Sequence, residues 1–285
     1  MFDTFENRLE LTGILTTVTA LRISAGRSSE PIGSDLPVVK DALGKPLIPG
    51  ASFKGAMRSR LEAFLRGIAP NLAEDPSELA IASRVKAVNA LKDEAENDKI
   101  TTQNILERTD LVSHLFGAPW LAGKLRIRDL SVQRDTWFGQ YQERDGVAID
   151  RDTETASDGK LYDFQVVPAG TLFEFKAVVE NATDWELGLL MIGLHQFETE
   201  QITLGGGSSR GLGVVRLNLD ELIWIDPKDS KEMINYLQQL IQNKLQPYVK
   251  TPQEIETLKS GWSTALFDKL NQEVNKVSTA EEIHA

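Results

Sequence analysis

Three stretches of the chain carry residue types whose spacing suits chemistry on phosphate. In Ile48-Pro-Gly-Ala-Ser-Phe-Lys-Gly-Ala-Met-Arg58, Pro49 and Gly50 stop a loop. An apolar stripe of Phe53, Met57, Leu61, Phe64 and Leu65 then predicts a helix. Ser52 stands beside the first free amides of that helix, and Lys54 and Arg58, four apart, share a face beside the stripe. A helix N-terminus with a hydroxyl and a cation one turn in suits an anion. An ordinary capped amphipathic helix is the equal alternative. The second stretch, Gly205-Gly-Gly-Ser-Ser-Arg-Gly-Leu-Gly213, offers the amides of Gly205, Gly206 and Gly207 and the charge of Arg210. It follows a helix and precedes a strand, the reverse of a P-loop, and a tight β-turn is its bland reading. The third, Gly33-Ser-Asp-Leu-Pro-Val-Val-Lys-Asp41, holds two acids in a Gly/Pro-shaped loop before the helix. A carboxylate there can take a proton or hold a divalent cation. Asp35 or Asp41 can equally shape a turn.

The elements that must position these residues can be read from periodicity. Residues 8–20 predict a strand, and residues 21–50 a long shaped loop. Residues 70–117 have mixed charge, helical periodicity and no glycine before Gly117, which suits an inserted helical subdomain. Strand alternation returns over 124–132 and 171–180, where Phe173, Phe175, Ala177 and Val179 share a face. Thr183-Asp-Trp-Glu186 has capping-box spacing and opens a helix with Leu187, Leu190, Met191, Leu194 and Phe197 on its buried side. The glycine loop then feeds a strand over 214–219, and residues 229–280 predict two appended helices. The order strand, helix, strand, strand, helix, strand is that of a ferredoxin-like split unit, shared with RNA-recognition domains. The fold class expected is therefore α+β.

Composition narrows the chemistry. Among 285 residues there is no cysteine, which excludes disulfides, thiolate zinc sites and cysteine nucleophiles. The three histidines, His114, His195 and His284, stand in no ligand spacing. With no membrane-length apolar run and an acidic start, MFDTFENRLE, the expectation is a cytoplasmic protein without membrane contact. The net charge of −11 argues against a nucleic-acid binder, yet the cations cluster in Ser52–Arg66, Lys124–Arg128 and Gly205–Arg216. Basic patches on an acidic body suit a protein that holds a polyanion in one groove.

Four segments, taken together and in order, resemble the RAMP superfamily of CRISPR proteins, specifically the backbone subunit of type III RNA-guided effector complexes. They are residues 35–62, LFGAP (115–119), VAIDRDTETASDGKLYDFQVVPAGT (147–171) and GGGSSRGLG (205–213). The resemblance covers about residues 8–219. It implies a ferredoxin-like palm over 1–225, interrupted by a helical lid (67–123) and a β-hairpin thumb (133–170), with a C-terminal helical extension over 226–285. It implies guide RNA, target RNA, copies of itself or related backbone subunits, and other type III effector subunits as partners. It also implies cleavage of target RNA, with Asp35 as the catalytic acid in the D-x-P-V-x-K-D pattern and Asp41 as a structural one. Asp35 would act as general base or hold Mg²⁺ or another divalent cation. The zinc that some relatives bind through cysteine has no ligands in this sequence. Arg22, Ser52, Lys54, Arg58, the glycine loop and Arg210 would grip RNA. The apolar run Val147-Ala-Ile149, with Ile149 foremost, would wedge between bases at the thumb tip. A non-catalytic scaffold of the same complex, or an unrelated phosphate-binding enzyme, are the readings left open.

Overall fold

The computed structural model describes residues 3–27, 34–94, 98–149 and 156–284. Its centre is a four-stranded antiparallel sheet of β1 (Arg8–Thr17), β3 (Leu125–Ile127), β7 (Leu172–Glu180) and β8 (Val215–Ile225), in the order β3-β7-β1-β8. A short separate pair joins β2 (Leu47–Ile48) to β4 (Leu130–Ser131). Alternation in β1 and β7 turns Leu9, Leu11, Leu15, Phe173, Phe175, Ala177 and Val179 to one buried face. Helices α1 (Gly50–Ile68) and α6 (Asp184–Glu198) cover that face. Phe53 of α1 stands at the centre, stacked on Phe197 of α6 at 4.0 Å and tilted against Phe175 at 5.2 Å. The other face is polar: Arg8 pairs with Glu10 and Glu180, Lys176 with Glu10, and Arg126 with Glu180.

Local chemistry explains the departures from the expected elements. Helix α1 begins at Gly50, ahead of Ser52, because the Asp129 side chain accepts the Gly50 amide at 2.8 Å. A Cβ at Gly50 would lie 2.4 Å from the Ile127 carbonyl, so only glycine lets the helix start against this strand. The same contact interrupts the strand expected over 124–132, which divides into β3 and β4 around Asp129. Phe64 leaves the apolar stripe and is 38% exposed, with Arg60 stacked over its ring. The capping box of Thr183 and Glu186 forms as expected.

The segment between α1 and β3 folds as four helices: α2 (Pro76–Leu79), α3 (Ala82–Glu94), α4 (Asp98–Glu107) and α5 (Leu111–Phe116). Leu79, Val88, Ile105 and Trp120 give it a small core of its own, whereas α5 joins the main core. Strands β5 (Gln142–Ile149) and β6 (Ala156–Val166) form an antiparallel hairpin inserted before β7. The C-terminal helices α7 (Ser230–Ile241) and α8 (Pro252–His284) are less separate than expected. Trp262, Leu266 and Leu270 of α8 belong to the main core against α6. Among the described residues no helix is long and apolar enough to cross a membrane.

One buried carboxylate ties these pieces together. Glu186, 1% exposed, accepts Lys124 Nζ at 2.8 and 2.6 Å and the Thr183 amide at 2.7 Å, with His114 of α5 alongside at 3.7 Å. Burial alone would push its pKa up, but the contacts to His114, Lys124 and Thr183 outweigh it and hold the group below its ordinary 4.5. A depressed folded-state pKa means that the unfolded chain binds the proton first as pH falls. The stabilisation is complete above about pH 4.5 and is lost as pH drops through the lower folded value. Glu186→Gln should therefore cost about 3–5 kcal/mol at neutral pH by stranding Lys124, and should flatten the acid limb of stability. Urea unfolding across pH 3–7 checks this; parallel acid limbs in variant and wild type would remove Glu186 from the role.

Candidate nucleic-acid interface

Three segments distant in sequence meet on residues 162–167 at the base of the hairpin. The first is the stretch after β1. Leu21 pairs with Val167, and the Arg22 guanidinium lies over the Phe164 ring at 4.7 Å. Arg22 Nε is buried and, among the described residues, has no hydrogen-bond partner, while the residue as a whole is only part-buried. The second is the glycine loop. Gly205 has φ +74° and packs so closely that a Cβ would fall 2.0 Å from the Arg22 carbonyl, which the Gly206 amide also binds at 2.8 Å. Glycine is thus needed both for the left-handed turn and for the contact. Beyond it, Gly206 faces open space and Arg210 is exposed, donating to the Tyr162 hydroxyl at 3.2 Å.

The third is the loop carrying Asp35. The Asp35 amide donates to Asp163 Oδ1 at 2.6 Å, and the Gln165 amide donates to the Leu36 carbonyl at 3.1 Å. Leu36 packs with Ala20, Phe164, Val166 and Leu212, so the Asp35 loop and the glycine loop share one apolar cluster. The Asp35 carboxylate is exposed beside it. Asp41, five residues on from Leu36, is a turn former: its Oδ1 accepts the Leu43 and Lys45 amides at 2.8 and 2.9 Å. Tyr141 closes over this turn, donating to the Gly44 carbonyl at 2.7 Å. Burial and Asp41 push its hydroxyl up to about 12, so it stays a donor.

The expected cations of α1 are placed differently. Lys54 turns inward and donates to the Leu125 carbonyl at 2.8 Å. Burial, aided by Arg58, holds its pKa below the usual lysine value. Arg58 is held by Glu62 Oε1 at 2.7 Å, the Gly117 carbonyl at 2.9 Å and Ser113 Oγ at 3.0 Å. Both therefore serve as clamps between α1 and the α5–β3 region. Ser52 lies inside the first turn, its amide bonded to the Pro49 carbonyl, and the helix N-terminus already has a carboxylate in Asp129. In this structure Lys54 and the Gly50 amide at the expected anion site are engaged by the Leu125 carbonyl and Asp129. Ile149 is a strand residue opposite Ala156, so Val147-Ala-Ile149 flanks the turn rather than forming it. Its side chain and the hairpin tip lie outside the described residues. Tyr162, Asp163 and Phe164 were the residues that sequence reasoning passed over. The alternation in Leu161-Tyr-Asp-Phe164 was the available signal, because it puts both aromatics on one face and the acid on the other.

The RAMP superfamily model matches residues 14–216, which contain all three converging segments. The chain belongs to the RAMP superfamily. Among similar proteins is the CRISPR system Cms endoribonuclease Csm3 of Enterococcus italicus, 24% identical over 218 residues, 76% of this chain and 92% of that protein. The protein of the same name from Methanocaldococcus jannaschii is 28% identical over 241 residues, 80% of this chain and 86% of its own length. A shorter match, 48% over 56 residues, joins 19% of this chain to 24% of the Mycobacterium tuberculosis protein of that name.

The two sets of cations should separate in experiment. Arg58→Ala should lower stability by about 1.5–3 kcal/mol, as lost charged hydrogen bonds do, and leave the salt dependence of RNA binding unchanged. Arg210→Ala should leave stability unchanged and flatten the log-affinity versus log-salt slope by roughly 0.7. Thermal melts and salt titrations of RNA binding read both; a flattened slope in Arg58→Ala would return that residue to the groove.

Proposed function

We propose that this chain is a guide-RNA-binding backbone subunit of a type III CRISPR interference complex that cleaves bound target RNA through Asp35. The observation that carries this reading is the convergence of Asp35, the glycine loop and Arg22 on the base of one hairpin. Superfamily membership and likeness to proteins named endoribonucleases support it. The sheet order β3-β7-β1-β8, with α1 and α6 on one face, is that expected of a ferredoxin-like palm. In this reading α2–α5 are the lid, and the β5–β6 hairpin is the thumb that wedges into the guide–target duplex. The free face of β1, β3 and β7 carries ion pairs and no aromatic residue, which favours the thumb base over the sheet face as the RNA path.

Arg22 and Arg210 hold guide phosphates here, and the glycine loop keeps side chains out of the approach. Leu36 and the Asp163 contact fix the backbone at Asp35, so its carboxylate meets a splayed target nucleotide in a set orientation. Asp35 accepts the proton of the 2′-hydroxyl as that oxygen attacks the adjacent phosphorus. The P–O5′ bond then breaks, leaving a 2′,3′-cyclic phosphate on one fragment and a 5′-oxyanion on the other, which takes a proton from water to become a 5′-hydroxyl. Among the described residues no three carboxylates or imidazoles form a closed metal cage. An exposed single carboxylate fits a hard divalent cation shared with substrate phosphates, the usual way Mg²⁺ is held. Such a cation, held by Asp35, would supply charge neutralisation at the scissile phosphate.

A guide-loaded complex with complementary RNA and Mg²⁺ tests the reading. Asp35→Ala should lower cleavage by roughly 100-fold or more, the scale of a lost general base, with target binding retained. Asp41→Ala should open the turn at Leu43–Lys45, cost about 1 kcal/mol of stability and leave cleavage by the assembled complex intact. Normal cutting by Asp35→Ala would place the chemistry elsewhere, and a wild-type complex that binds without cutting would be a scaffold.

A further inference from the structure

An aromatic cluster stands at the foot of the hairpin, outside the groove described above. Trp137 and Tyr141 pack against the main core, their rings 5.1 Å apart and tilted by 57°. Phe138 lies over Trp137 with centroids at 6.2 Å and planes within 16° of parallel. Its outer face is open, and the side chain is 75% exposed. Lys40, exposed, holds its ammonium 4.4 Å over the Tyr141 ring. The cluster is bolted to the Asp35 loop by the Tyr141–Gly44 hydrogen bond.

An exposed phenylalanine keeps its apolar ring in water unless something covers it. This one is not a loose side chain, because a half-buried tryptophan fixes the tilt of its ring. Its surroundings argue against a protein partner: Arg134, Asp135, Gly139 and Gln140 are exposed and polar, and Leu43 is the one large apolar residue exposed on the nearby turn. That is too little apolar area for the centre of a protein interface. A flat, rigid ring with a cation on the same cluster is the chemistry that holds an unpaired base of a single strand. Lys40 is five residues from Asp35, a span of at most about 17 Å along the loop, so a strand lying at Asp35 can reach the ring.

We propose that Phe138 is a stacking platform for one unpaired base of single-stranded RNA, with Lys40, on the Tyr141 side of the same aromatic cluster, for a phosphate of that strand. This rests on the RNA-binding reading above and adds a base contact to it.

The test uses the full chain, a labelled single-stranded RNA as first strand, and a labelled complementary strand added second. Phe138→Ala and Phe138→Leu should weaken binding by roughly 5- to 100-fold, the loss of one base–aromatic stack. Phe138→Trp should bind as wild type, and none of the three should change the salt slope, since stacking releases no counterions. Loss in the first step assigns the platform to the guide, and loss only in the second assigns it to the target. Wild-type affinity in Phe138→Ala, full affinity in Phe138→Leu, or a flattened salt slope in either would overturn the platform while leaving RNA binding in place. Altered self-association in sedimentation with unchanged RNA affinity would overturn it in favour of a protein contact. Failure of the wild-type chain to bind RNA would overturn both this proposal and the reading beneath it.

Discussion

A charge taken out of water must find partners or it is not kept, and in this chain Glu186 is the charge on which the assembly turns. Its two oxygens are satisfied by Lys124, which opens β3, and by the amide of Thr183, which caps α6. His114 approaches from α5, the last helix of the inserted segment. No one of these pieces can move without stranding a buried ion. The inserted helical segment is therefore docked through α5, and α5 and the residue after it in turn present Ser113 and Gly117 to Arg58 of α1. A second buried acid, Glu62, completes that clamp with Arg58 and Arg66.

The same logic divides the cations of an acidic molecule into two populations. Lys54, Arg58 and Lys124 face inward and are spent on carbonyls and carboxylates. Their work is to hold the inserted helical segment on α1 and β3. Arg210 faces outward, and Arg22 stands between the two states, with its ring contact made and its Nε unpaired. A body with a net charge of −11 repels a polyanion over most of its surface. Arg210, exposed at the hairpin base, is one place where that repulsion is relieved.

The hairpin base is a shared foundation. Residues 162–167 receive the stretch after β1 and the Asp35 loop by main-chain bonds, while the glycine loop is tied by its backbone to Ala20 and Arg22 and reaches the hairpin through the side chains of Leu212 and Arg210. Backbone contacts of this kind fix position without regard to side-chain identity. That leaves Asp35, Gly206 and Arg210 exposed at the surface above supports held by the rest of the fold.

Much of this was written in local pattern. Alternation determined which faces of β1 and β7 are buried, and the four-residue spacing of Phe53, Met57, Leu61 and Leu65 determined the inner face of α1. The capping box at Thr183 was legible because both partners lie within one turn. The Asp41 turn was legible as one of two options for the same reason. What the sequence could not decide is where a long side chain ends, since Lys54 and Arg58 show the same i, i+4 spacing whether they face solvent or the α5–β3 region. Only the tertiary structure supplied the Leu125 carbonyl, Ser113 and the Gly117 carbonyl that drew them inward. Nor could spacing reveal that Asp129, 79 residues away, fills the helix N-terminus expected to hold phosphate. Local periodicity records which surface is apolar, whereas the pairing of charges depends on residues that meet only once the chain has folded.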